Sequence, residues 1–235
     1  MPPAWIQELP LPQAFHSRNV QLYQLHFEAG AMPPSTIWSL LNDPERERAE
    51  RFRLDQPRRN FVGTRAALRL LVAERLGIQP SEVRLAYSDK GKPSLAADLA
   101  LPSLHFNVSH SGDVALIALS VGQLAGADVE QVRPGRDFAD IVRLYCAPGE
   151  HAALQRADPS EQLAIFYRLW TRKEAVLKGA GQGITSGLKE PDVSTGGHAA
   201  AADAPFTVKL GETIWLLHDL TPQEGYTGAL AIEMG

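Results

Sequence analysis

Trp170-Thr-Arg-Lys-Glu-Ala-Val-Leu-Lys178 places a lysine where a helix should be apolar. Just upstream, Asp158 reads as an N-cap, Pro159 as the first helical residue and Glu161 as the closing member of a capping box, while Gly179 and Gly181 mark the end. At roughly 100° per residue, Leu163, Phe166, Leu169, Trp170, Val176 and Leu177 share one arc. Lys173 lies near the middle of that arc, flanked by Glu174 and Lys178 one turn apart. A cation on the packed side of a helix needs a partner or an anionic ligand, because unpaired burial costs several kcal/mol. Two readings are open. Either Lys173 snorkels to water and Glu174 pairs with Lys178 at the surface, or the face binds an anion.

Outward from this helix, Leu124 to Glu130 reads as a strand, a further helix is expected near 137 to 145, and strands near 206 to 218 and 227 to 233. In the first half, Val20 and Leu22 suit a strand, 36 to 54 and 57 to 76 read as helices, and Gly77 is a C-cap. Val83 to Tyr87, Leu104 to Val108 and Val114 to Ser120 read as strands. The order of strand, helices, strands thus occurs twice, which predicts an α+β chain of two similar α/β halves, residues 1–122 and 123–235. The small-residue stretch 194 to 205 reads as an exposed loop.

Composition narrows the class. The chain has 235 residues, 44% apolar and 21% charged, enough for a sizeable core. It contains no run of about 18 apolar residues and no signal-peptide pattern at Met1 to Trp5, so a cytoplasmic protein without membrane segments is expected. The single cysteine, Cys146, rules out an internal disulfide and reads as an inert thiol. The net charge of −4 hides an asymmetry: residues 1 to 122 carry 13 basic and 12 acidic groups, 123 to 235 carry 10 and 15. Eight arginines lie between 46 and 69. Without clustered aromatics beside this stripe, and in an acidic chain, nucleic acid is a weak candidate partner, and none is expected.

Three further segments carry chemistry. Asp128 and Glu130 alternate on a strand, so both carboxylates face one side and offer oxygens to a hard divalent cation, or simply face water at a strand edge. In Phe106-Asn-Val-Ser-His-Ser-Gly-Asp113, small residues at a strand end let Ser109, His110 and backbone N–H groups approach an anion. No G-x-S-x-G elbow surrounds Ser109, and His105 and His110 lack zinc-site spacing. Lys90-Gly91-Lys92-Pro93 adds a cationic turn.

Together, Gly91-Lys-Pro93, Phe106 to Ser111, Gly126-Ala-Asp-Val-Glu130 and Trp170 to Lys178 resemble the signature set of the Sfp-type 4'-phosphopantetheinyl transferases in order, spacing and content. The resemblance spans residues 46 to 190, roughly two thirds of the chain. It implies a pseudo-dimer of two α/β halves in one chain, with coenzyme A in the cleft between them. It further implies Mg2+, with Mn2+ as an alternative, surrounded by Asp128, Glu130 and Glu174, with Glu150 near the metal. Arg59, Lys90, Gly91, Lys92, Pro93, Ser109 and His110 would contact the nucleotide and its phosphates, and Lys173 and Lys178 the pyrophosphate. Arg58 and Arg65 compete for the place of Arg59. Ala127 and the Lys-Glu-Ala variant of the signature helix depart from the best-known branch and leave carrier preference open.

The implied reaction moves the phosphopantetheine arm of coenzyme A onto a serine of an apo acyl or peptidyl carrier protein, releasing adenosine 3',5'-bisphosphate. Glu174 is the expected general base, directly or through a water, with Lys178 beside it. Ile184 and Leu188 are candidate carrier contacts or plain loop anchors. A monomer suffices. The alternatives are a non-catalytic relative that binds coenzyme A or a carrier, and a magnesium-dependent phosphohydrolase.

Overall fold

The computed structural model describes residues 3–27, 35–88, 92–99, 103–135, 137–182, 189–195 and 204–235. The chain opens with β1 (Ile6–Leu9), α1 (Gln13–His16) and β2 (Val20–His26), then a 3-10 turn (Ser35–Leu40), α2 (Asp43–Glu50) and α3 (Asp55–Leu76). A ribbon of β3 (Leu85–Tyr87) and β4 (Pro93–Leu95) leads to β5 (Leu104–Ser111), β6 (Val114–Val121) and β7 (Ala125–Gln131). Helices α4 (Ala139–Tyr145), α5 (Pro148–Arg156) and α6 (Gln162–Gly179) follow, and β8 (Phe206–Leu210), β9 (Thr213–Leu220) and β10 (Tyr226–Met234) close the fold.

Two four-stranded antiparallel sheets result, ordered β1-β2-β6-β5 and β7-β10-β9-β8. Period-two alternation gives each sheet two apolar faces. Val20, Leu22, Val114, Leu116 and Ala118 of the first sheet pack against Ala127, Val129, Leu216, Leu230 and Ile232 of the second. The opposite face of the first sheet, with Tyr23, Leu25, Ile117 and Leu119, is covered by Leu68, Leu71 and Val72 of α3. Helix α6 covers the second in the same way: Phe166, Leu169 and Val176 meet Trp215, Leu217, Ala229 and Ala231. The layers therefore run helix, sheet, sheet, helix, the two-half α+β architecture. Full burial of each Val, Leu, Ile or Phe among them contributes roughly 1.5–3 kcal/mol, so the sandwich holds the strands that carry the site in fixed register.

The structure redraws several expected boundaries. The helix expected over 36–54 is broken, because Asn42 accepts the Glu45 N–H at 3.0 Å, Glu45 reaches back to the Asn42 N–H at 3.0 Å, and Pro44 opens α2. Gly77 caps α3 in the left-handed region at φ 67°. Helix α6 starts four residues after Asp158: the Asp158 carbonyl takes the Glu161 and Gln162 N–H groups in a tight turn, and no side chain caps the helix. Strand β5 runs on through Ser109 and His110 to Ser111 rather than stopping at Val108, and turns at Gly112, φ 55°. Helix α5, unmarked by any expected element, carries Glu150 in its first turn. Most of the stretch 194 to 205 lies outside the described residues. Among those described, no helix is long and apolar enough to cross a membrane.

Candidate functional site

The acids come together where α6 lies on β7. This approach depends on Gly126: a Cβ there would overlap the Ala175 carbonyl and the Gly179 amide. With backbone this close, Lys178 reaches across to the strand. Its ammonium donates to Asp128 Oδ1 at 2.6 Å and to Ser109 Oγ at 2.9 Å. Asp128 is 2% exposed. Its other oxygen, Oδ2, and Oε1 of Glu174 are both buried without a hydrogen-bond partner.

Electrostatics follow from this geometry. Burial first, and then the Asp128 charge, hold the Glu174 carboxyl up to about 7; Lys178 pulls the other way and Glu130 adds to the rise. Burial alone would lower the Lys178 ammonium, but Asp128, with Glu174 and Glu130 behind it, outweighs burial and raises it. Lys92 donates to the Lys178 carbonyl, so both lysines attach to the last turn of α6, and burial lowers the Lys92 ammonium.

Strand β5 divides its side chains between two neighbours. Asn107, Ser109 and Ser111 face β7, whereas Val108 and His110 line a cavity of about 170 Å³ with Arg48, Phe61, Thr64, Arg65, Leu68 and Pro93. The cavity is cationic on one wall. Arg65 Nη1 and Thr64 Oγ1 are buried there without hydrogen-bond partners, and Arg65 Nε has only a 3.5 Å ion-pair contact to Glu45. Arg59, on the same helix, likewise has a buried Nε with no partner. His110 keeps part of its ring in solvent, yet desolvation within the cleft and then the Lys178 charge lower its pKa.

Several residues that the resemblance assigns to the cation or the phosphates are bonded within the protein. Lys173 and Glu150 form an ion pair at 3.1 Å, with side chains 6% and 0% exposed. The Lys173 ammonium also donates to the Pro191 carbonyl at 2.7 Å, and Glu150 accepts the Val193 and Ala147 N–H groups, each at 2.9 Å. Glu174 feels Asp128, Lys178 and Glu130, whereas Glu150 feels Lys173 and its own amide donors. Glu150 and Lys173 are thus partners in a buried ion pair that anchors α5 and the 191–193 segment to α6. Arg172 joins the same anchor, with a bidentate pair to Asp219 at 2.7 and 2.6 Å and a 3.1 Å bond to the Val193 carbonyl. Ser109 is fully bonded within the protein. It donates to Asp128 Oδ1 at 2.8 Å and accepts from Lys178 and from the Val129 N–H, which exhausts a hydroxyl.

Lys90, Gly91, Ile184 and Leu188 lie outside the described residues. Sequence reasoning missed Arg48, and it missed Ser111, which donates to Glu130 Oε2 at 2.7 Å. The signal for Ser111 was available: Asn107, Ser109 and Ser111 alternate with the strand period, two of them opposite the alternating acids. Among the described residues, no three Asp, Glu, His or Cys side chains converge closely enough to enclose a cation by themselves.

Comparison with known proteins decides the family. Residues 125–230 match the 4'-phosphopantetheinyl transferase superfamily, and residues 34–122 match the family described as 4'-phosphopantetheinyl transferase, N-terminal. The 4'-phosphopantetheinyl transferase HetI of Nostoc sp. (strain PCC 7120) is 31% identical over 216 residues, covering 92% of this chain and 88% of HetI. This chain belongs to the 4'-phosphopantetheinyl transferase superfamily. The 4'-phosphopantetheinyl transferase of Bacillus subtilis is 33% identical over 142 residues, 60% of each chain. In Mus musculus, the L-aminoadipate-semialdehyde dehydrogenase-phosphopantetheinyl transferase is 33% identical over 171 residues, 67% of this chain and 55% of its own length. The two superfamily regions meet between 122 and 125, the same point at which the first sheet gives way to the second. Asp128, Glu130, Glu174 and Lys178 fall inside the superfamily match, and Arg48, Arg59, Arg65 and His110 inside the N-terminal one.

Proposed function

We propose that this transferase moves the 4'-phosphopantetheine arm of coenzyme A onto a serine hydroxyl of an apo acyl or peptidyl carrier protein and releases adenosine 3',5'-bisphosphate. The observation that carries the reading is the pairing of two unlike sites along one strand: acids with unsatisfied oxygens on one side of β5, arginines with unsatisfied donors on the other. Coenzyme A carries a phosphorylated nucleoside at one end of a pyrophosphate, so it suits both. Arg48, Arg59, Arg65 and His110 would hold the nucleotide and its phosphates. Pro93 lines that cavity, and Lys92 and Lys178 flank the pyrophosphate.

A divalent cation fits the acidic side, because Asp128 Oδ2 and Glu174 Oε1 are buried carboxylate oxygens without partners. Asp128, Glu130 and Glu174 would hold it, the pyrophosphate completing the shell, with Mg2+ the favoured ion and Mn2+ a substitute. When bound, it offsets charge building on the phosphate oxygens.

The chain's own groups do the rest. Lys178, already charged beside Asp128, adds a second positive group at the phosphates. The carrier serine approaches the β-phosphorus in line; its oxygen forms the new P–O bond as the bond to adenosine bisphosphate breaks. Glu174 takes the hydroxyl proton. The division into halves at residues 1–122 and 123–235 is supported by one sheet on either side of the boundary; a monomeric state and a cytoplasmic setting belong to the same reading.

The test is to incubate the protein with coenzyme A, Mg2+ and an apo carrier and weigh the carrier intact. A gain of one phosphopantetheine is expected. Binding of coenzyme A with no gain on any acyl or peptidyl carrier would favour a non-catalytic relative, and consumption of coenzyme A without a carrier a phosphohydrolase.

A further inference from the structure

Strands β5 and β7 are edge strands of different sheets, yet they run side by side joined by side chains. Asn107 Oδ1, Ser109 Oγ and Ser111 Oγ accept the N–H groups of Ala127, Val129 and Gln131 at 3.1, 3.3 and 3.1 Å. Both strands step by two, so the three rungs stay in register. A hydroxyl that accepts a backbone N–H still has one proton to give, whereas the amide oxygen of Asn107 has none. Ser109 gives its proton to Asp128 Oδ1 at 2.8 Å, and Ser111 gives its own to Glu130 Oε2 at 2.7 Å. The residue opposite Asn107 that would correspond to an acid is Gly126.

We propose that Ser111 is a positioning residue for Glu130, and Ser109 for Asp128: each serine is clamped by a backbone amide so that its proton fixes one oxygen of the acid and turns the carboxylate toward the cation and pyrophosphate. The proposal rests on the metal-dependent transfer reading above. Asn107 supplies the contrast, since it ties the strands without touching an acid. The bonds to ionised carboxylates are charge-assisted, the kind that orients a ligand group most firmly. Groups that orient metal ligands typically account for about 10–100-fold in metal affinity.

The experiment measures Mn2+ affinity by electron paramagnetic resonance in the presence of coenzyme A, with thermal midpoints recorded for each protein. Ser111→Ala is expected to bind Mn2+ about 10–100-fold more weakly. Ser111→Thr, which keeps the hydroxyl, should stay close to the unsubstituted protein, and Ser111→Cys, a weak donor, should fall between. Asn107→Ala should lower the thermal midpoint while changing Mn2+ affinity far less than Ser111→Ala. Unchanged affinity in Ser111→Ala, no recovery in Ser111→Thr, or a loss in Asn107→Ala equal to that in Ser111→Ala would overturn the proposal. Failure of the unsubstituted protein to bind Mn2+ with coenzyme A would instead overturn the underlying metal reading, and this one with it.

Discussion

Lys173 and Lys178 sit on one helix and have opposite surroundings. Lys178 faces Asp128 and Ser109 at the cleft, while Lys173 is closed into the core against Glu150 and the Pro191 carbonyl. Removing one partner of a buried pair leaves the other uncompensated, at a cost of about 3–5 kcal/mol. Lys173→Met should therefore lower the unfolding free energy by that order in denaturant titration. Adding Glu150→Gln should restore part of the loss, and at temperatures where the variant is folded its coenzyme A affinity should match the parent's. Glu174 behaves differently. Glu174→Gln should lose about 10²-fold or more in kcat, the scale of general-base catalysis, while calorimetry shows most of the coenzyme A affinity retained. Equal losses in both would reduce Glu174 to a binding group. At this scale the sequence marks the charge types, since a lysine on an apolar arc announces a pair or a ligand. Choosing between Lys173 and Lys178 needs Glu150 and the Pro191 to Val193 segment, which only the tertiary fold brings to α6.

The contact between α6 and β7 controls the site's geometry. Gly126→Ala would force its Cβ against the Ala175 carbonyl and the Gly179 amide, neither of which can move as a side-chain tip would. Overpacking of this kind costs about 1–3 kcal/mol, and the helix must shift, so the expected result is a lower thermal midpoint together with weakened coenzyme A binding. Cys146, at the end of α4, gives a pH prediction. Burial, then the Glu150 charge, push its thiol up to about 12 from the ordinary thiol value near 9.0. Its folded pKa being raised, the stability it contributes is present below about pH 9 and is lost as pH rises through 12. Cys146→Ala should thus be less stable at neutral pH because of the cavity, and that deficit should shrink above pH 9 in thermal unfolding. The elements themselves were largely legible, because α6 carries an apolar arc and β6 and β10 are short apolar runs bounded by turns. The break before α2 was misread because its capping box competes with a continuous helical pattern, and α5 was missed because its N-cap, Ala147, has no capping side chain and Gly149 sits in its first turn.

Across the whole molecule, the two sheets pack face to face while β5 and β7 meet at their edges, which sets an arginine-lined cavity beside the acids of β7 and α6. The charge asymmetry of the sequence has this physical meaning: the slightly basic first half supplies the arginines of the cavity, and the acidic second half supplies Asp128, Glu130 and Glu174 together with Lys178. Recurring strand and helix order made two halves readable from sequence, but their register across the β5–β7 seam was not, since it depends on side chains bonding to backbone twenty residues away. The central claim is that the cation and the pyrophosphate of coenzyme A are held between β7 and α6. The most direct measurement is the anomalous scattering of Mn2+ in a crystal of the complex with coenzyme A. The account predicts a single peak between β7 and α6, beside Asp128, Glu130 and Glu174; a peak beside Glu150, or coenzyme A bound with no peak between the two elements, would contradict it.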